Sequence, residues 1–109
     1  MNHILNVSLA QRLGIHAALI LRYIRDEVWE NQSNGVHYYT GRYWMRCSQM
    51  MFTAAMPYMH KSTVRRVLER LMNQGIIMRG EFGSSRFDRT SWYALTQYGE
   101  RLMTGSEDY

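Results

Sequence analysis

The chain has 109 residues, 46% of them hydrophobic, and this length and composition predict one small domain over residues 1–109. Its formal net charge of +4, from 13 lysine and arginine residues against 9 acids, favours an anionic partner such as nucleic acid. The single cysteine, Cys47, excludes an intramolecular disulfide and fits a reducing cytoplasm. The longest apolar run near the start, residues 17–21, is too short for a signal peptide or membrane span, so we expect a cytoplasmic protein without a membrane partner.

The N-terminal part of the chain is predicted to form an arm and two helices. We expect residues 1–7 to be the arm and Ser8 to cap a short helix, Leu9–Leu13, which Gly14 ends. A long scaffold helix is predicted over Ile15–Trp29, because apolar residues recur there at helical spacing on one face. The residues of that face are Ala17, Leu21, Ile24 and Val28.

The middle of the chain is predicted to form a loop, a strand and a short helix. Residues 31–35 are polar and contain an Asn-Gly turn signal. The aromatic run Val36–Met45 is predicted to be the first strand of a small sheet. Ser48 is then predicted to cap a helix, Gln49–Ala55, which Pro57 ends because proline cannot continue the hydrogen-bond ladder.

Positive charge is densest between Pro57 and Thr96, which hold seven lysine and arginine residues against three acids. A helix is predicted there because four apolar residues recur at the i, i+3, i+4 and i+7 spacing. They are Val64, Val67, Leu68 and Leu71. The opposite face carries Ser62, Arg66, Glu69 and Asn73. Gly75 follows the last turn, where a left-handed C-cap favours a residue without a Cβ atom.

Two β-rich runs, Ile76–Met78 and Ser91–Leu95, follow this helix and are predicted to form a hairpin. The turn between them, Gly83–Arg89, contains two arginines. A last helix, Gln97–Met103, and a frayed acidic tail, residues 104–109, are predicted to close the chain. A helix with a basic outer face, followed by a basic-tipped hairpin, predicts an α+β winged helix-turn-helix with a three-helix core, a small antiparallel sheet and a wing.

Eight residues are candidate contacts to double-stranded DNA, because a recognition helix presents its first residues to base edges while flanking cations hold phosphates. On the helix they are Lys61, Ser62, Thr63, Arg65, Arg66 and Arg70. At the wing they are Arg86 and Arg89. A wing arginine reaches the minor groove or the backbone. The alternative is ion pairing within the protein, of Arg65 or Arg70 with Glu69 or another acid on the surface. For Arg89 the alternative is an ion pair with Asp88.

The remaining reactive residue types argue against an enzyme. The four histidines show no metal-ligand spacing with Cys47 or with one another. The chain also lacks the glycine motifs that cradle phosphates or dinucleotides. We therefore expect no catalytic residues, no metal site and no cofactor.

Aromatic and methionine side chains allow two interpretations each. Trp29, Trp44 and Trp92 are interpreted as core and interface packing, with stacking on single-stranded bases as the alternative. The clustered methionines are Met45, Met50, Met51, Met56 and Met59. They predict core filling where they are buried and an adaptable partner surface where they are exposed.

Several strings of residues carry a family resemblance. They are Tyr43-Trp44, Ser62-Thr63-Val64-Arg65-Arg66, Gly75-Ile76-Ile77 and Phe87-Asp88-Arg89-Thr90-Ser91-Trp92-Tyr93, with the opening Leu13-Gly14-Ile15-His16-Ala17-Ala18-Leu19-Ile20-Leu21. The chain resembles the winged-helix domain of replication proteins from phages and mobile elements of Gram-positive bacteria, related to the N-terminal domain of DnaD-type primosome proteins. This resemblance implies DNA binding in replication initiation, self-association as a homodimer, and other replication proteins as partners. The chain departs from the family at Phe52, where tryptophan is frequent, and at His60, a poorer N-cap than the usual serine.

Two other functions stay open. The ending Leu95-Thr96-x-x-Gly99-x-x-Leu102 is similar to the close of MarR- and PadR-like regulators, which implies a transcriptional repressor, and Thr96 is predicted to cap the last helix. The third possibility is a winged-helix module for protein–protein interaction, which would use its methionine and aromatic surface.

Overall fold

The computed structural model describes residues 7–47, 49–83 and 90–104. Within them, five helices and two small antiparallel sheets follow one another along the chain. The helices are α1 (Val7–Leu13), α2 (Ile15–Asn34), α3 (Gln49–Ala55), α4 (Lys61–Asn73) and α5 (Gln97–Thr104). The strands are β1 (Tyr38–Tyr39), β2 (Arg42–Tyr43), β3 (Met45–Cys47), β4 (Ile77–Gly80) and β5 (Ser91–Leu95). The predicted α+β class is therefore confirmed.

α1 and α2 are separated by Gly14, as predicted. Its φ of 94° lies in a region that glycine occupies at little cost, so the chain can change direction there. α1 begins at Val7, so Ser8 lies inside the first turn and the prediction that Ser8 is the N-cap is wrong. Residue 7 is thus helical and not part of an arm, and residues 1–6 of the predicted arm lie outside the described residues.

α2 continues past its predicted end at Trp29 to Asn34, through the segment that we predicted as a loop. The Asn-Gly pair ends a helix here, because Gly35 adopts a left-handed φ of 67° and its N–H bonds to a carbonyl of the last turn. Asn31 also donates from its side chain to the Trp44 carbonyl at 2.7 Å, which fixes the final turn to the sheet. The buried face of α2 carries Ala17, Ala18, Ile20, Leu21, Ile24 and Val28.

The larger sheet has the strand order β3-β5-β4, with antiparallel neighbours. Met45 on β3 pairs with Tyr93 on β5, and Ile77 on β4 pairs with Leu95. Successive side chains of a strand point to opposite faces. Accordingly Tyr93 and Leu95 join the main helical core, while Trp92 faces the other side.

The predicted first strand, Val36–Met45, is wrong as a single element. Its first part forms a separate hairpin of β1 and β2, and only Met45–Cys47 joins the larger sheet. The cause is a two-residue turn at Thr40 and Gly41, whose φ angles of 52° and 85° are both positive, as the hairpin-forming type I′ turn requires. The aromatic run therefore folds back on itself instead of continuing as one strand.

An aromatic cluster packs on the face of the larger sheet that is turned away from the main core. Trp44 and Trp92 are buried in it, which confirms them as packing residues. Tyr39 of the small hairpin stacks on Phe82 with ring centroids 4.7 Å apart. Trp44 also donates from Nε1 to the Tyr39 carbonyl at 2.8 Å, whereas Trp92 Nε1 is buried without a partner among the described residues. The sheet is thus covered on both faces.

α3 has the predicted bounds, and the chain leaves the helix before Pro57 as predicted. Its central anchor is Phe52, which is fully buried. The Phe52 ring meets Tyr23 of α2 and Tyr93 of β5 edge-on, at centroid distances of 5.6 and 5.8 Å. Ser48, the predicted cap, lies outside the described residues.

α4 has the predicted apolar face, and its four residues are all buried. The helix begins with a side-chain cap, since Nδ1 of His60 accepts the Ser62 N–H at 3.2 Å, so histidine does fill the capping role here. It ends in the predicted glycine cap: Gly75 has a φ of 71°, and the Ile76 N–H bonds back to the Leu71 carbonyl at 3.0 Å.

α5 begins at the predicted cap, because the Gly99 N–H donates to Oγ1 of Thr96 at 3.0 Å. The same hydroxyl lies 2.5 Å from the Gly75 carbonyl and 3.1 Å from the Ile76 carbonyl, so it joins α5 to the end of α4. Gly99 itself packs directly against the carbonyl oxygen of Ile76. Packing therefore accounts for the residues of the Leu-Thr-x-x-Gly-x-x-Leu string.

Candidate nucleic-acid interface

The candidate site is the outer face of α4, which is polar and basic because the apolar face is turned inward. Five of the six predicted helix contacts are exposed, and Thr63 is partly exposed. The exposed five are Lys61, Ser62, Arg65, Arg66 and Arg70. Glu69 lies among them and is also exposed. The structure therefore brings the predicted helix residues together on one accessible surface.

Two grooves flank α4. The first, on the α2 side, is lined by His16, Thr63, Arg66, Val67 and Arg70. The second, on the sheet side, has polar lining residues that are exposed or partly exposed, Arg65, Glu69, Arg79 and Ser91. Arg65 and Arg66 are neighbours in sequence, but a step of about 100° along a helix separates them, so each serves a different groove. Both sides of α4 thus carry arginine.

Arg65 and Arg66, one in each groove, are little engaged by the protein itself. Among the described residues, Arg65 and Glu69 form no ion pair, so the predicted alternative of their pairing is not found. Arg66 has one long contact, 3.4 Å from Nη2 to Oγ1 of Thr63. These arginines therefore keep most of their donor groups available to a ligand.

Arg70 has a structural role as well. Its Nη2 donates to the carbonyl of Leu13 at 2.5 Å, and Leu13 is the last residue of α1. A helix ends with unsatisfied carbonyls, so this bond satisfies one of them and ties α4 to α1. Arg70 also lines the α2-side groove, where its remaining N–H groups face solvent.

Two groove residues, His16 and Arg79, were not predicted from the sequence. His16 lies in the first turn of α2 and reaches α4 only through tertiary packing. Arg79 lies one residue beyond the predicted end of its strand, and β4 in fact extends to Gly80. The signal for Arg79 was the strand alternation itself, because Ile77 and Arg79 point to the same face as Tyr93.

The proposed wing contacts, Arg86 and Arg89, lie outside the described residues. They belong to the segment that connects β4 to β5 in the sequence.

The floor of the sheet-side groove is neutral. Cys47 is buried there, and burial, followed by the charge of Glu27, raises the pKa of its thiol to about 12. Burial also raises the pKa of Tyr93, against an opposing effect from its hydrogen bond with Ser91. Both groups therefore stay protonated near neutral pH, and the charge of the groove belongs to its exposed arginines and Glu69.

Exposed apolar side chains form a separate surface on α3 and the turn that leads into α4. Met50 is 79% exposed, Met51 45% and Tyr58 58%. The other clustered methionines, Met45, Met56 and Met59, are buried in the core. Core filling is thus confirmed for the three buried methionines, and a partner surface stays a prediction for Met50 and Met51.

No protein-family model matches the chain, and no curated protein matches it. In the described ranges, no helix combines the length and apolar character needed to cross a bilayer. The same ranges contain no group of three or more His, Cys, Asp and Glu side chains placed to hold a metal ion. The geometry and charge of α4 and its two grooves are therefore the structural features that bear on function.

Proposed function

We propose that the chain is a winged helix-turn-helix that binds double-stranded DNA, with α4 as its recognition helix. The element order supports this assignment: α3 and α4 form a helix pair joined by the turn at Pro57, and β4 and β5 form a hairpin directly after it. In this arrangement α4 enters the major groove and the segment between β4 and β5 is the wing.

The observation that carries the proposal is that Arg65 and Arg66, about 100° apart around α4, line the two different grooves beside it, both without an acidic partner among the described residues. A helix with its side chains is about 10–12 Å wide, and the major groove is about 12 Å wide. A helix seated there has a phosphate backbone on each side. Arginines that diverge from its two flanks match that distribution of negative charge.

The role that we propose is replication initiation of a phage, plasmid or other mobile element, by a homodimer that works with other replication proteins. The support is the sequence resemblance described above. A transcriptional repressor is the alternative, but its Leu-Thr-x-x-Gly-x-x-Leu string is accounted for by the packing of α5 and so favours neither role. A dimer predicts half-sites about one helical turn, or a multiple of it, apart on the DNA.

A protein-interaction module is the second candidate function, and the exposed Met50, Met51 and Tyr58 favour it. Such adaptable apolar side chains are typical of protein-binding surfaces. In that case DNA binding would be absent or secondary.

Fluorescence anisotropy with random-sequence duplex and single-stranded oligonucleotides tests the proposal. We expect duplex binding at ~50 mM salt that falls steeply by ~200 mM, because several phosphates are neutralised. Arg66→Glu should abolish binding, while Met50→Glu, on the apolar surface, should leave it unchanged. Absence of binding by a folded sample at the lower salt would reject the DNA-binding function and favour the interaction module.

A further inference from the structure

The sheet-side groove contains a second arginine, Arg79, that is held in place by the protein. Its Nε lies 3.0 Å from Oγ of Ser91, on the adjacent strand. Its Nη2 lies 3.5 Å from Oε1 of Glu81. The remaining nitrogen, Nη1, has no partner among the described residues, and the side chain is 45% exposed. The guanidinium is therefore oriented, with one pair of N–H groups available.

Arg65 lies across the same groove on α4, and it has no partner among the described residues. The floor between the two arginines consists of the buried side chains of Phe52, Leu68 and Cys47. An anion at the mouth would thus meet two cations above an apolar floor that supplies no competing charge. Two guanidinium groups on different elements are suited to one tetrahedral anion with several acceptor oxygens.

We infer that Arg65 and Arg79 together hold one backbone phosphate of the bound duplex, with Ser91 as the residue that positions Arg79. This inference rests on the proposed function, because it places the phosphate beside a recognition helix in the major groove. It adds the sheet to the binding surface: β4 contributes a contact in addition to α4 and the wing.

Two acids lie near the proposed phosphate and would repel it. Removing either acid should therefore change the affinity for DNA in the opposite direction to removing an arginine. Glu69 lines the same groove, and Glu81 pairs with Arg79. Both are exposed, so neither holds an arginine strongly. Glu69→Gln and Glu81→Gln should therefore each tighten DNA binding, because each removes a negative charge near the phosphate.

The decisive experiment measures the dissociation constant of duplex DNA at several salt concentrations for Arg65→Gln, Arg79→Gln and the double variant. Each phosphate contact contributes about 0.9 to the slope of log affinity against log salt concentration. Each single variant should bind roughly tenfold more weakly, as expected for the loss of one charge-assisted contact, but should lower the slope by less than one because the other arginine still neutralises the phosphate. Because the two arginines share one phosphate, the double variant should lower the slope by about one.

Arg46→Gln is the matched control. Arg46 lies on β3 of the same sheet, but its side chain is placed over Trp92 on the opposite face, with 5.9 Å from its Cζ to the ring centroid. This variant removes the same charge and should leave the slope unchanged. Ser91→Ala should weaken binding less than Arg79→Gln and leave the slope near that of the wild type, since the charge remains.

The outcomes separate the inference from the proposed function. An Arg79→Gln variant that binds duplex DNA with wild-type affinity would overturn the inference and leave DNA binding intact. A slope lowered by about two in the double variant would also overturn it, because the two arginines would then contact separate phosphates. Failure of the wild type itself to bind DNA would reject the proposed function.

Discussion

Gly99 of α5 packs against the carbonyl oxygen of Ile76, and a Cβ atom at this position would collide with that backbone oxygen. The carbonyl belongs to the segment between α4 and β4, so it cannot move without disturbing both elements. We therefore predict that Gly99→Ala destabilises the protein by about 1–3 kcal/mol, as overpacking does, although alanine favours helices. Urea denaturation measures this, and Gln97→Ala in the exposed first turn of α5 is the control, with little expected effect. A stabilised Gly99→Ala variant would contradict the geometry.

The two buried tryptophans should respond differently to replacement by phenylalanine. Trp44 donates its indole N–H to the Tyr39 carbonyl, whereas the indole N–H of Trp92 has no partner among the described residues. Trp44→Phe removes a hydrogen bond and leaves a carbonyl unsatisfied, while Trp92→Phe removes a buried unsatisfied donor. We expect Trp44→Phe to cost about 2 kcal/mol more than Trp92→Phe in the free energy of unfolding. Equal losses would argue that Trp92 has a hydrogen-bond partner after all.

We predict that the protein loses stability at alkaline pH because the thiol of Cys47 is buried. Burial and Glu27 raise the pKa of its thiol to about 12, above the value of ~8.5 typical of an unfolded chain. The contribution of the Cys47 thiol to the free energy of unfolding is therefore fully present below pH ~8.5. It is lost as the pH rises toward the pKa of the thiol in the folded protein, because the unfolded state releases its proton first.

Denaturation at pH ~7 and pH ~9.5 should show a loss of about 1 kcal/mol that Cys47→Ala lacks. Below pH ~10 the tyrosines are still largely protonated in both states, so the comparison isolates the thiol. The same alkaline loss in Cys47→Ala would assign it to another group.

Arg70 and Arg66 line the same groove, but substitutions at the two positions should differ in their effect on stability. Arg70 holds the Leu13 carbonyl at the end of α1, while Arg66 has only a long contact with Thr63. Arg70→Gln should therefore lower the unfolding free energy by about 1 kcal/mol and also weaken DNA binding. Arg66→Gln should weaken binding alone. Thermal melting together with anisotropy distinguishes the two, and an unaltered melting temperature in Arg70→Gln would mean that its bond to Leu13 contributes nothing.

The sequence predicts the elements whose periodicity is unambiguous. α4 follows from the spacing of Val64, Val67, Leu68 and Leu71, and its end follows from Gly75. β5 has the predicted bounds, since its β-prone residues are flanked by a turn segment and a cap. In each case local preference and tertiary packing favour the same structure.

The errors arise where one local signal has two structural meanings. The Asn-Gly pair at the end of α2 suits a turn as well as a helix C-cap, and the contact of Asn31 with Trp44 selects the helix. Gly41 lies inside an aromatic run that predicts one strand, but its positive φ belongs to a hairpin turn. His16 and Arg79 could not be assigned to the site because their positions beside α4 depend on tertiary packing.

The aromatic cluster behind the sheet gives the protein an internal optical probe. Two of the three tryptophans, Trp44 and Trp92, lie in it, and the third, Trp29, is on α2 with the Arg25 guanidinium 4.5 Å from its ring centroid. No tryptophan lies on α4 or lines either groove beside it. A change in the tryptophan emission when DNA is added would therefore report a change around α2 or the sheet rather than around α4 itself, and it would need no label.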